Sequence, residues 1–228
     1  MGGRGQSSEG GIKKKKVASP WEQPDIGNGK RQLTQEEADA LYEYTKSSHV
    51  NAELAKVKGD VTQLDSQWAE MVKNLDSGIS KFGWNKTEDA PQYGTVALRG
   101  GGAIMVGVPE SLKLSAQGLA DYINANLIGV DATNVGYTSI TRTPNVAENF
   151  AAMYNNKNPV ILDYASVDDG VRGVYISGGQ GKTPISDYKT YEDETLLQRN
   201  IVTTPRTAYV GSDGYCHVVV DIRAKGRW

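Results

Sequence analysis

One cysteine, two histidines and two phenylalanines in 228 residues leave several kinds of chemistry without raw material. Cys216 has no intrachain disulfide partner, and no cysteine-rich zinc site can be assembled. It sits in CHVVVDI and reads as core packing. His49 and His217 are far apart in the chain, which argues against a histidine metal centre or a histidine triad. No apolar run reaches the length of a membrane span. An excess of one charge is missing as well. Lys+Arg 25 against Asp+Glu 27 gives a formal net charge of -2, which offers no support for nucleic acid as the main partner. No G-x-G-x-x-G follows a first strand, and Gly181-Lys182-Thr183 lacks the upstream glycine of a phosphate-binding P-loop.

What is present suits one large domain with an N-terminal addition. The chain is 38% hydrophobic with a mean hydropathy of -0.49, enough for a modest core. Lys13 to Lys16 form a basic run with no apolar segment after it, so a signal peptide is not expected. Gly, Ser and Lys dominate up to Ala18, and SPWEQPDIGNGK follows. Residues 1–32 therefore read as a flexible tail. Its lysines are the one place where nucleic-acid contact is expected. Residues 33–228 read as a single domain, with a helical part over 33–82 and a β-rich part over 95–228.

The helical part has explicit start signals. Thr34 is an N-cap with Glu37 as its capping-box partner and Leu33 at the staple position. Ala38, Leu41, Tyr42 and Tyr44 continue the apolar stripe. A second helix is expected over His49–Lys58. A third, capped by Asp60, is expected over Val61–Lys73, with a further turn at Asp76–Lys81. From Thr95 the pattern changes to strands. They are expected at TVALRGG, Gly136–Thr141, Pro159–Tyr164, Val171–Ser177, Glu192–Leu197, Arg206–Val210 and Tyr215–Ile222. Short helices fall between them at Ser111–Asn126 and Asn145–Tyr154. The sum is an α+β fold with a mixed, mainly antiparallel β core.

The stretch that draws attention is Asp187 to Arg199, DYKTYEDETLLQR. Glu192 and Glu194 are separated by one residue. On a strand they point the same way, about 6.6 Å apart. A glycine-rich loop, Ser177 to Pro184, precedes them. Glu-x-Glu alone is common on solvated strand edges, so the reading depends on other segments.

Three segments occur in order: a strand ending Arg99-Gly100, a strand carrying Ser139, and Glu192-x-Glu194. This order resembles the arginine, serine, glutamate signature of mono-ADP-ribosyltransferases related to the binary and cholera-type toxins. LTQEEADALYEYT is similar to that family's opening helix, and GYTSITRTPNVAENFA to its Ser-Thr-Ser strand and following helix. The resemblance implies an ADP-ribosyltransferase-like fold with NAD as co-substrate and no metal. It implies that Arg99 binds the diphosphate of NAD and that Gly100 lets the nicotinamide amide reach the backbone. Ser139 would hold Glu194, and Phe150 would set its ring against nicotinamide. Glu194 would stabilise the oxocarbenium-like ribose, and Glu192 would orient a target guanidinium. A glutamate at the first position goes with arginine targets in that family. Two departures stand out. The motif reads Ser139-Ile140-Thr141, with an apolar middle residue, and the usual loop aromatic is displaced, leaving Tyr188 and Tyr191 as candidates for target recognition. MGGRGQSSEGG is similar to openings of phage-encoded proteins with this domain. That likeness implies bacterial host proteins as targets, action in the host cytoplasm and carriage in the virion. The alternatives are NAD glycohydrolysis, with water as acceptor, and a non-catalytic, virion-associated binding protein.

Overall fold

The computed structural model describes residues 33–82, 97–155, 157–168, 170–177 and 192–226. Its first helix begins where the sequence offers a cap. The Thr34 hydroxyl accepts from the Glu37 amide, and the Glu37 carboxylate accepts from the Thr34 amide at 2.8 Å. This closes a capping box at the start of α1 (Gln35–Lys46). Glu37 also accepts from Ser77 at 2.6 Å and pairs with Lys81 at 2.5 Å, tying α1 to α3 (Ser66–Ser80). Between them lies α2 (His49–Lys56).

The single helix expected after Asp60 is divided. Asp60 caps only a 3-10 turn at Val61–Gln63. Asp65 accepts from the Trp68 amide at 3.1 Å and starts α3. The separate turn expected at Asp76–Lys81 is instead the last turn of α3 and its C-cap. Tyr137 donates to Asp76 at 2.7 Å, and Arg199 forks onto the same carboxylate at 2.8 and 2.9 Å. These bonds fasten the helical part to the sheet.

The strands are β1 (Leu98–Gly102), β2 (Ala132–Asn134), β3 (Thr138–Thr141), β4 (Pro159–Val167), β5 (Gly173–Tyr175), β6 (Glu194–Leu197), β7 (Ile201–Val210) and β8 (Cys216–Ala224). They form one eight-stranded sheet in the order β2-β7-β8-β4-β1-β3-β6-β5. Among the described residues only the β4–β8 pairing is parallel, so the sheet is mixed and mainly antiparallel. This is the expected α+β class. Among the described residues two α-helices are inserted between strands: α4 (Ala116–Asn126), capped by Ser115, and α5 (Pro144–Ala152), opened by its proline. The helix expected from Ser111 therefore begins later, at its cap.

Two main cores result. Leu119, Ile123, Ile140, Leu162, Leu197, Val218 and Val220 pack together with α4. Leu41, Leu54, Leu75, Ile79, Tyr137, Val174 and Leu196 pack the N-terminal helices against β5 and β6. Leu196 and Leu197 are neighbours in sequence and belong to different cores, as strand alternation requires. Cys216 is fully buried in the first core.

Candidate active site

The site forms where β1, β3 and β6 meet. β3 and β6 are antiparallel, with Thr141 opposite Glu194 and Ser139 opposite Leu196. Ser139, Thr141, Glu194 and Leu196 thus share one face, while Ile140 turns into the first core at 3% exposure. The apolar middle residue of Ser139-Ile140-Thr141 is a core residue for that reason. Between β1 and β3 the ladder is a single pair, Leu98 with Thr141. Arg99 Nη1 donates to the Ser139 carbonyl at 2.6 Å across this junction, and Arg99 Nε lies 3.3 Å from Met105 Sδ.

The two glutamates reach the site by different routes, and here the simple strand expectation is corrected. β6 begins at Glu194, not Glu192. Asp193 has φ 44°, in the left-handed region, so Glu192 is not two regular strand steps from Glu194. Nor is Glu194 on a solvated edge, because β6 lies between β3 and β5. Its amide donates to Ser177 Oγ at 2.7 Å, and its carbonyl accepts from the Ile176 amide at 3.0 Å. Thr141 Oγ1 donates to the Glu192 carbonyl at 2.6 Å. Both glutamates line a cleft of about 640 Å³ together with Arg99, Gly100, Ser139 and Phe150. That volume suits a ligand the size of a dinucleotide.

Glu194 is only 6% exposed. Burial pushes its carboxyl up to about 7, and the nearby Glu192 charge adds to the rise. A hydrogen bond from Ser139 and the Arg99 charge act the other way. Glu192 is also raised, by burial. Tyr44 of α1 lines the same cleft, and Asn51 Nδ2 donates to its hydroxyl at 3.1 Å.

Gly100 has a packing reason of its own. A Cβ there would lie 1.7 Å from the Ala147 carbonyl oxygen, because α5 rests directly on β1. The glycine is required by that contact whatever else it does. Phe150, on α5, is 37% exposed and faces the cleft it lines. Tyr188 and Tyr191 lie outside the described residues, as do Lys13 to Lys16.

Sequence reasoning missed Tyr44, Asn51 and Asp193. The period of α1 placed Tyr44 on the buried face, and it is buried at 5% exposure. Periodicity carries no signal for where a hydroxyl ends. Among the described residues, no group of His, Cys, Asp and Glu is arranged to hold a metal ion, and no helix is long and apolar enough to cross a membrane. The arrangement is suited to positive charge. A buried carboxylate next to a second acid favours a cation that develops in the cleft.

Comparison with known proteins points the same way. A model of the family described as ADP-ribosyltransferase exoenzyme matches residues 18–223. The epidermal cell differentiation inhibitor of Staphylococcus aureus is 54% identical over 43 residues, which is 18% of this chain and 17% of that protein's length. The C3 exoenzyme of Clostridium limosum superposes with a TM-score of 0.63 at 19% identity, covering 84% of this chain and 86% of that one. C3stau2 from S. aureus, solved with NAD, gives a TM-score of 0.63 at 18% identity, covering 84% of this chain and 88% of that one.

Proposed function

The chain belongs to the ADP-ribosyltransferase exoenzyme family, and from that premise we propose that it transfers ADP-ribose from NAD to arginine side chains of target proteins. The observation that carries this reading is the convergence of Glu192 and Glu194 in one cleft with Ser139 and Arg99. The residues present suit the co-substrate. Arg99 offers a planar fork of donors for a diphosphate, and Phe150 offers an exposed ring for a flat heterocycle.

On this reading the bond between the ribose C1′ and the nicotinamide nitrogen breaks, and nicotinamide leaves with the electron pair. Positive charge then grows on the ribose. Ionised Glu194, with Ser139 beside it in the cleft, stabilises that charge. The guanidine nitrogen of the target attacks C1′ and loses a proton. Arginine is protonated at neutral pH, so an anion beside it is chemically required. Glu192 supplies it, and its burial-raised pKa suits a group that accepts a proton. A carboxylate at this position, rather than an amide, supports arginine over asparagine as acceptor. Residues 33–228 act as one unit on this reading, because the cleft draws on both the helical part and the sheet. The opening MGGRGQSSEGG supports a phage origin, and with it bacterial host proteins as targets in the host cytoplasm.

The test uses the full chain with labelled NAD, a host lysate and, separately, agmatine as a guanidine acceptor. Nicotinamide release with labelled protein, and arginine as the modified residue by mass spectrometry, is the expected result. Asparagine as the modified residue overturns the target assignment. Release without any transfer makes water the acceptor. No release from folded protein overturns the reading as a whole.

A further inference from the structure

Asp193 lies between the two candidate acids, and its side chain is engaged away from the cleft. Arg142 Nη2 donates to Asp193 Oδ1 at 2.6 Å, and Arg142 Nε donates to Oδ2 at 3.1 Å. The Tyr175 hydroxyl donates to Oδ1 at 2.7 Å, and the Arg142 guanidinium lies 5.0 Å from the centre of the Tyr175 ring. Arg142 follows β3, Tyr175 ends β5, and Asp193 precedes β6, so the cluster joins three adjacent strands at one end. None of the three lines the cleft.

This cluster answers a question of backbone shape. Asp193 has φ 44°, a region that disfavours residues with a Cβ and that Asp tolerates better than most. That conformation fixes the direction in which the chain leaves Glu194 backwards to Glu192. Glu194 has separate anchors: the β3 ladder, the Ile176 amide of the β5 segment and the Ser177 hydroxyl. Glu192 lies outside the ladder and is tied through its carbonyl to Thr141.

We infer that Arg142 and Tyr175 clamp Asp193 in its left-handed conformation, and that this clamp positions Glu192 and so partitions the reaction between a guanidine acceptor and water. The inference rests on the function proposed above. Asp193 and Arg142 are positioning residues and touch no reacting atom. Loosening the clamp leaves Glu194 in place, so NAD cleavage continues. Glu192 then no longer meets the incoming guanidinium reliably, and water takes the larger share.

The experiment measures nicotinamide release without acceptor and ADP-ribosyl-agmatine formation with it, in parallel, on the full chain and its variants. Asp193→Ala is expected to lower the ratio of transfer to hydrolysis about tenfold or more, while hydrolysis stays within about threefold. Asp193→Asn accepts the left-handed region and keeps an acceptor for Arg142 and Tyr175, so most of the ratio returns. A merely structural role would lower both activities together and leave the ratio alone. An unchanged ratio in Asp193→Ala, or no recovery in Asp193→Asn, overturns the clamp. If Asp193→Ala fails to fold by circular dichroism, Arg142→Gln carries the same test with the same expected fall in ratio. Backbone 15N relaxation reads the clamp without activity. Asp193→Ala is expected to lower the order parameters at residues 192 and 193 and to leave 195–197 unchanged, and no change at 192 and 193 overturns it. An unmodified chain that releases no nicotinamide fails the functional reading. An active chain whose variants keep the same ratio fails the clamp alone.

Discussion

At one end of the sheet, His217 on β8 is held between two acids. Its Nδ1 is 3.1 Å from Asp163 and its Nε2 is 2.9 Å from Asp213, with the Tyr209 ring stacked at 5.2 Å. At the junction of β3 and β6, Glu194 is buried beside a second acid, and Glu192 adds to its burden. Both groups keep a proton longer than usual, His217 to about 9 and Glu194 to about 7. For His217 the main cause is the Asp163 hydrogen bond, so the fold favours the charged form. For Glu194 the main cause is burial, so the fold disfavours the charged form. One region is stabilised by its charge, and the other holds a charge against the preference of its surroundings. Sites that do chemistry are where the second condition is expected.

The pH dependence follows from these signs. Folded Glu194 binds a proton that the unfolded chain releases from about 4.5 upward, so stability falls between pH 4.5 and about 7. Above that the ionised carboxylate costs about 3 kcal/mol. The His217 contribution is fully present below 6.5 and is lost as pH rises through about 9.

The largest expected effect is at Glu194. Glu194→Gln is expected to cut nicotinamide release about a hundredfold or more. The same change removes the ionisation cost, so the variant unfolds at higher denaturant at pH 8 by up to about 3 kcal/mol. At pH 4.5 the gain is absent. A loss of stability at pH 8 would break the contrast between the two regions. Next comes Gly100→Ala. Its Cβ would meet the Ala147 carbonyl oxygen at 1.7 Å, so α5 must move, at a cost of about 3 kcal/mol. Denaturation curves read that cost, and a neutral result would show that the packing of α5 on β1 is loose. His217→Gln is a smaller change and sharpens the other side. Its melting temperature is expected to fall by about 2–4 °C at pH 6 and to change little at pH 9.5, with NAD cleavage retained. Equal destabilisation at both values would deny that the charge is what stabilises this region. The smallest effect is at Thr141→Val, which removes the hydroxyl that holds the Glu192 carbonyl. About 1 kcal/mol is expected by denaturation, with transfer reduced more than hydrolysis.

Much of this was legible where local chemistry decides the outcome. Leu33, Thr34 and Glu37 announced the start of α1 because a capping box is a local device. Alternation explained Ser139, Ile140 and Thr141. The third helix was expected to start at Asp60, but Asp60 caps only a 3-10 turn and Asp65 caps α3. β7 was expected only from Arg206. The strand runs from Ile201 because the proline falls at a register shift between Pro205 and Thr207. β2 is three residues long and leaves almost no pattern. In the site, residue types and order were readable, but the turn at Asp193 was not. A left-handed aspartate is set by its partners Arg142 and Tyr175, which lie 51 and 18 residues away.

Leu196 and Leu197 give β6 one further property. The strand that presents Glu194 is a party wall between two compartments, with one leucine mortared into each. Pressure from either room is borne by the same four residues. A methylene removed near Leu75, on one side, or near Val218, on the other, changes the footing of the same carboxylate. Residues far from the cleft, in two separate cores, thus have a common point of report. The titration of Glu194 is expected to register disturbance in either core, which makes this single group a gauge for the whole sheet.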